Sequence, residues 1–288
     1  MNKTCLITLE YVNTVIKERP KEIHKGQCGR VLIAAGSVGM AGAAVLAARG
    51  AVRSGAGLVK AAVPPELFTV LQISVPQAAC ISVFDSFSPR SLAIYDAIAV
   101  GPGMGVDEKN YKFIRNVLGN YSGPVVLDAD GLNTLCRFDE GLDSISGRTG
   151  PTILTPHPGE GDRLLRVLGE KGMGETGRSG AARLIADRTG AIVLMKGSGT
   201  LVTMKDRDTY INTTGNPGMA TGGSGDVLTG VIAAIAASGV DAFDAAKAGA
   251  FVHGMAGDIA AESFGQWGMS AVEIEESLPA AFRRIVGK

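Results

Sequence analysis

The chain has few aromatic residues, 5% of its 288 positions, and that scarcity argues against an aromatic-rich β-sandwich. It lacks an excess of either charge: lysine plus arginine and aspartate plus glutamate each number 28, for a formal net charge of zero. Such a balance gives no reason to expect a nucleic-acid or membrane partner, so small molecules are the expected ligands. Cysteine is scarce too. Cys5, Cys28, Cys80 and Cys136 show no CxxC spacing, which argues against a disulfide framework or zinc site and for free thiols in a reducing compartment. The opening MNKTCLITLEYVNTVIKERP has no long apolar segment, and no run reaches the roughly 18 apolar residues of a membrane span, so a cytoplasmic location is expected. No linker, internal repeat or low-complexity tail divides the chain, and residues 1–288 are expected to form one domain.

What is present is glycine, 40 residues, in a sequence that is 45% hydrophobic. Short apolar runs alternate with helical patterns: RVLIAAG (30–36), the alanine-rich GAAVLAARGAVRSG (42–55), then GLVKAAV (57–63). DAIAVGPGMG (96–105), PVVLDADGLN (124–133), PTILTPHPGE (151–160) and AIVLMKGSGT (191–200) are each an apolar strand running into a polar or glycine-rich loop. Strands apolar on both faces predict an α/β fold with a mostly parallel sheet covered by helices, whose ligands bind at the strands' carboxyl ends. TLVTMKDRDTYINTT (200–214) predicts a hairpin turning at 205–208, and helices are expected at 226–238, 241–262 and 270–286.

Within NTTGNPGMATGGSGDVLTGVIAAIAASG (212–239) a glycine-rich loop feeds a long apolar helix. Such a junction exposes unpaired N–H groups and the positive end of the helix dipole, so it suits an anion. Asp226 would repel a bound phosphate there, which makes it a candidate general base for a hydroxyl attacking phosphorus. Read alone, it could equally cap the helix.

GGSGD before an apolar helix resembles the anion-hole and catalytic-aspartate signature of the ribokinase-like superfamily, which implies a three-layer α/β/α sandwich. The remaining blocks narrow the resemblance to the NAD(P)H-hydrate dehydratases: HKGQCGRVLIAAGSVGMAGAAVLAARGAVRSGAGLV (24–59), VGPGMG (100–105), VLDADGLNTL (126–135), ILTPHPGEGDRLL (153–165), LMKGSGT (194–200), NPGMATGGSGDVLTG (216–230) and AGAFVHGMAGD (248–258). They cover nearly the whole chain in the family's order. The resemblance implies a lyase that repairs hydrated NADH and NADPH, acting on the S epimer with ADP as phosphoryl donor, ATP being the alternative donor, and Mg2+ as cofactor. Two other readings share the helix signature: a kinase of a thiazole or pyrimidine vitamin precursor, and a nucleotide-binding regulator without activity.

Residue by residue, the resemblance implies that Asp226 takes the proton from the C6 hydroxyl. The N–H groups of Gly222, Gly223, Ser224 and Gly225 would stabilise the transferring phosphoryl group. Lys196, Gly197, Ser198, Gly199 and Thr200 match the loop that holds the donor's phosphates; alone, Lys196 would read as a solvated lysine. Ala43, Gly105 and His157 match positions that contact the hydrated dinucleotide, where the alternatives are helix packing, a plain turn and a surface-loop histidine. Glu160 matches the residue that organises water around magnesium, although His157 stands where the wider superfamily has asparagine. Asp128, Asp130 and Asn133 form a polar cluster that could contact substrate or metal, with Asp130 also able to cap a helix from 131. His253, among small apolar residues, reads as structural. The resemblance further implies a homo-oligomer, a tetramer favoured; 288 residues leave no room for the epimerase domain that many relatives carry, so either a separate epimerase or use of the S epimer alone is expected.

Overall fold

The structure, a computed structural model, describes residues 3–85 and 87–287, so both ends of the expected 1–288 unit lie outside the described residues. Ten strands form one sheet: β1 Thr4–Ile7, β2 Arg30–Ala34, β3 Leu58–Val63, β4 Ala78–Ser82, β5 Ala97–Val100, β6 Val125–Leu127, β7 Thr152–Leu154, β8 Ile192–Met195, β9 Leu201–Thr203 and β10 Thr209–Asn212. Their order across the sheet is β1-β10-β9-β8-β7-β6-β5-β2-β3-β4. Only β9 runs against its neighbours; it pairs antiparallel with β8 and β10, which makes the expected hairpin, while every other pairing is parallel.

The apolar runs supply both faces of this sheet because successive side chains point to opposite sides. Val31, Ile33, Ala99, Val126 and Ile153 enter one core, with helices Ala41–Arg53, Ser224–Ala237, Ala242–Gly268 and Ala271–Ile285. Leu32, Ala34, Val100, Leu127 and Leu154 enter the other, with helices Glu108–Asn120, Asp130–Arg137, Pro158–Val167 and Met173–Thr189. The result is a three-layer α/β/α sandwich, as the composition and the resemblance both anticipate. Alanine and glycine let the layers approach closely: a Cβ at Gly230 would land on the Ala47 carbonyl of the adjacent helix.

The last three helices begin and end close to their expected bounds, but the middle one continues to Gly268 across a kink at Gly265, whose φ is +67°. Strands β1 and β4 were not anticipated. β1 is held by a parallel pairing that sets Thr4 against Thr209. Among the described residues no helix is long and apolar enough to cross a membrane.

The strand order reverses between β2 and β5. β2, β3 and β4 extend one way and β5 to β8 the other, which opens a crevice at the carboxyl ends of β2 and β5.

Candidate active site

Helix Ser224–Ala237 starts two residues before the expected boundary, at the edge of that crevice. Gly223 precedes it with φ +88°, left-handed backbone that favours glycine, and a Cβ there would collide with Leu46. No side chain caps this end. The N–H groups of Gly222, Gly223, Gly225 and Asp226 find no acceptor among the described residues. Four free donors and the helix dipole therefore converge on one spot. Asp226, in the first turn, is not the cap that its composition alone allowed, since its carboxylate takes none of these N–H groups. Burial, then the charge of Asp128 and more distantly Asp130, push its pKa up to about 7, against the opposing pull of Lys196.

Asp128 follows β6 and is almost fully buried. Its Oδ1 lies 2.6 Å from Lys196 Nζ, and its Oδ2 accepts from Thr229 Oγ1 at 2.8 Å. Lys196 leaves the end of β8, its N–H anchored on the Pro156 carbonyl at 2.8 Å, and its ammonium also lies 3.8 Å from Glu160 Oε2. It is no solvated surface lysine, with its side chain 20% exposed. Burial alone would lower its pKa, yet Asp128, Glu160 and Asp226 together raise it, so the ammonium stays charged. Glu160 is raised, first by burial and then by Asp128, with Lys196 and the His157 N–H opposing. The donor-loop assignment of Lys196 therefore gains a counterion that the sequence reading did not pair with it.

His157 occupies the N-cap of helix Pro158–Val167 rather than a plain surface loop. Its Nδ1 accepts from Gly159 N–H at 3.0 Å and Glu160 N–H at 3.4 Å, while Glu160 Oε2 accepts from His157 N–H at 2.8 Å. This is a capping box with histidine in the place of serine or threonine. The ring's Nε2 lies 3.5 Å from Glu160 Oε1, yet the side chain remains 55% exposed.

Ala43 is buried at the start of its helix, and a Cβ at Gly103 would sit 2.8 Å from the Ala43 methyl, so the loops after β2 and β5 press together. Gly105 has φ +82°, left-handed backbone that favours glycine, and a side chain there would meet no other residue within 4 Å. Its N–H donates to Asp130 Oδ2 at 2.8 Å and its carbonyl accepts from Asn110 Nδ2 at 3.2 Å. Asp130 does not cap a helix from 131. It is the first helical residue, preceded by Ala129 at φ +46°, and its other oxygen accepts from Asn133 Nδ2 at 3.3 Å. His253 is buried, its Nε2 3.5 Å from Ser224 Oγ, and burial pushes its pKa down to about 4, so it supports the helix start as a neutral ring.

A cavity of about 210 Å³ lined by Gly36, Ser37, Met104 and Asn110 opens beside these loops. The larger cavity, about 590 Å³ among Ile16, Ile23, Ala234 and Phe282, lies at the far end of the Ser224–Ala237 helix and contains none of the groups above. The chemistry, not the volume, points to this as the candidate site: a partly buried carboxyl with its pKa raised to about 7, a charged lysine and a set of free amides at one sheet edge. Sequence reasoning offered Asp128 as a contact to substrate or metal but missed its pairing with Lys196 and missed Thr229 altogether, because residues 68 and 101 positions apart become partners only once β6, β8 and the helix are assembled.

Comparison with known proteins gives the chain a family. The family model for NAD(P)H-hydrate dehydratase matches residues 31–280. A bifunctional NAD(P)H-hydrate repair enzyme of Moorella thermoacetica is 39% identical over 97% of this chain and 54% of its own length; the chain spans about half the length of such bifunctional relatives. An ADP-dependent (S)-NAD(P)H-hydrate dehydratase of Neisseria meningitidis is 39% identical over 87% of this chain and 83% of its own. The crystal structure of an ADP/ATP-dependent NAD(P)H-hydrate dehydratase of Bacillus subtilis, co-crystallised with ATP and Mg2+, superposes with a TM-score of 0.83 at 30% identity, covering 98% of both chains. The architecture is ribokinase-like. The chain belongs to the NAD(P)H-hydrate dehydratase family.

Proposed function

We propose that this protein removes water from the S epimer of hydrated NADH and NADPH, using ADP in preference to ATP as phosphoryl donor. The observation that carries the reading is the Asp226 carboxyl, held near neutrality beside four unpaired amides and the Lys196–Asp128 pair in a member of this family. Hydroxide leaves a ring carbon poorly, so the C6 hydroxyl is converted to a phosphate ester. Asp226 accepts the hydroxyl proton as its oxygen attacks the terminal phosphorus of the donor, and ADP leaves as AMP. The ring nitrogen's lone pair then expels phosphate, and loss of a proton from C5 restores the double bond. The amides of Gly222, Gly223 and Gly225 are placed for the negative charge of the transferring group. Lys196 and the 197–200 loop face the donor, while His157, Ala43 and Gly105 line the dinucleotide side.

Among the described residues no three His, Cys, Asp or Glu side chains are grouped to hold a metal ion. Magnesium in nucleotide enzymes uses one or two carboxylates, the phosphates and several waters rather than an all-protein cage, so Glu160, buried beside Lys196 and less tightly paired with it than Asp128 is, fits an ion that enters with the nucleotide. When bound, that ion neutralises phosphate charge, and Glu160 is the carboxylate placed to hold one of its waters.

The test is spectroscopic. Hydrated NADH lacks the absorbance of the reduced nicotinamide, and its return on adding the protein, ADP and magnesium supports the reading. A folded protein that restores no absorbance with ADP or ATP rejects it. A vitamin-precursor kinase or an inactive regulator would not restore it either.

A further inference from the structure

We propose that Arg178 is a positioning residue that shapes the loop between β8 and β9 into a phosphate nest; the inference rests on the donor-site reading above. The N–H groups of Gly197, Ser198, Gly199 and Thr200 find no acceptor among the described residues. Their carbonyls are in the opposite condition. Gly197 O accepts from Thr200 Oγ1 at 2.9 Å, and Ser198 O and Gly199 O both accept from Arg178 Nη2 at 2.5 Å. Thr200 O is taken by the Asn212 N–H at 2.8 Å. Since the C=O of one residue and the N–H of the next point in opposite directions across a peptide plane, holding the Ser198 and Gly199 carbonyls on Arg178 turns the Gly199 and Thr200 amides away from it. Consecutive amides so arranged form an anion-binding concavity.

The sequence around Arg178 is built for this contact. Helix Met173–Thr189 breaks at Gly177, with φ +67° and ψ 168°, and resumes at Arg178, which carries the guanidinium over the loop. Gly197 has φ +138°, and a Cβ there would fall on the Arg178 guanidinium, so the glycine and the arginine fit each other. Lys196 cannot shape the loop, because its ammonium is held by Asp128. Both bonds come from Nη2, and a lysine at 178 would bring the charge without the rigid guanidinium plane that fixes the two N–H groups of that nitrogen on adjacent carbonyls.

Calorimetric titration with ADP, together with steady-state kinetics, tests the inference on wild type, Arg178→Ala and Arg178→Lys. ADP affinity is expected to fall about tenfold or more in both variants, and KM for ADP to rise in step, with KM for the hydrate within about twofold of wild type. Added guanidinium should restore part of the ADP affinity of Arg178→Ala and none of that of Lys196→Ala. ADP affinity unchanged in both Arg178 variants overturns the inference and leaves the donor site standing. An equal rise of both KM values with a lowered melting temperature makes Arg178 merely structural and overturns it too; if Arg178→Ala does not fold, the same readouts on Arg178→Lys decide. A wild type that binds neither ADP nor ATP removes the donor-site reading and the inference with it.

Discussion

The pKa of about 7 at Asp226 has consequences for both rate and stability. A base must be ionised to accept a proton, so kcat/KM for the hydrate is expected to rise with pH and level off above about 7, and a profile flat from about pH 5 to 8 would argue against this role. The folded chain also keeps a proton that the unfolded chain, with an ordinary value of 3.8, has already released. That contribution to stability is complete below the unfolded value and is lost as pH rises through about 7. Asp226→Asn, which cannot ionise, is therefore expected to be more stable than wild type by on the order of 2 kcal/mol at about pH 8 and to match it near pH 4, as read by urea denaturation at the two pH values. Lys196 carries the opposite liability. Lys196→Ala leaves Asp128 buried with only Thr229 as partner, and breaking a buried pair from one side costs about 3–5 kcal/mol. Adding Asp128→Asn should recover most of that loss in the same denaturation experiment; a Lys196→Ala protein as stable as wild type would show that the pair contributes no net stability.

At the scale of elements, helix Pro158–Val167 makes His157, proposed above to face the dinucleotide, its N-cap. His157→Ala should cost about 0.5–2 kcal/mol of stability and raise KM for the hydrate. His157→Asn keeps a capping oxygen, so it should melt like wild type yet show the same rise in KM, with ADP dependence unaltered in both. Equal KM values for His157→Asn and wild type would make the histidine a cap and nothing more. The same helix shows where a sequence becomes hard to read. Runs such as AIVLM and PVVL announced β8 and β6 because both faces of their strands are buried, and the glycine-rich loop announced the start of helix Ser224–Ala237 to within two residues. The capping box was hidden because histidine replaces the serine or threonine that marks one. β1 was hidden because a four-residue strand whose partner lies 205 positions away is decided by tertiary pairing, not by its own pattern. Arg178 went unnoticed for a related reason: its partners are backbone carbonyls of a loop 20 residues on, and only the break at Gly177 aims it there.

The whole molecule brings together groups scattered through the chain. Ala43, Gly105, Asp128, His157 and Lys196 follow β2, β5, β6, β7 and β8, and the parallel sheet sets those strand ends side by side at the crevice. Helix Ser224–Ala237 then delivers Asp226 and the free amides to the same edge, with its apolar body locked into the core by Val227, Val231 and Ile235. Rigidity of this kind suits a reaction whose acceleration comes from fixed charges and a placed base rather than from covalent chemistry. The most direct test of the account compares the recovery of reduced-nicotinamide absorbance from hydrated NADH by wild type and Asp226→Asn, with ADP and magnesium saturating. The account predicts that Asp226→Asn folds with stability at least that of wild type and binds ADP, while recovery slows by roughly a hundred- to ten-thousand-fold. A native, ADP-bound Asp226→Asn protein whose rate falls less than about tenfold would contradict it, because the proton would then leave the hydroxyl without Asp226.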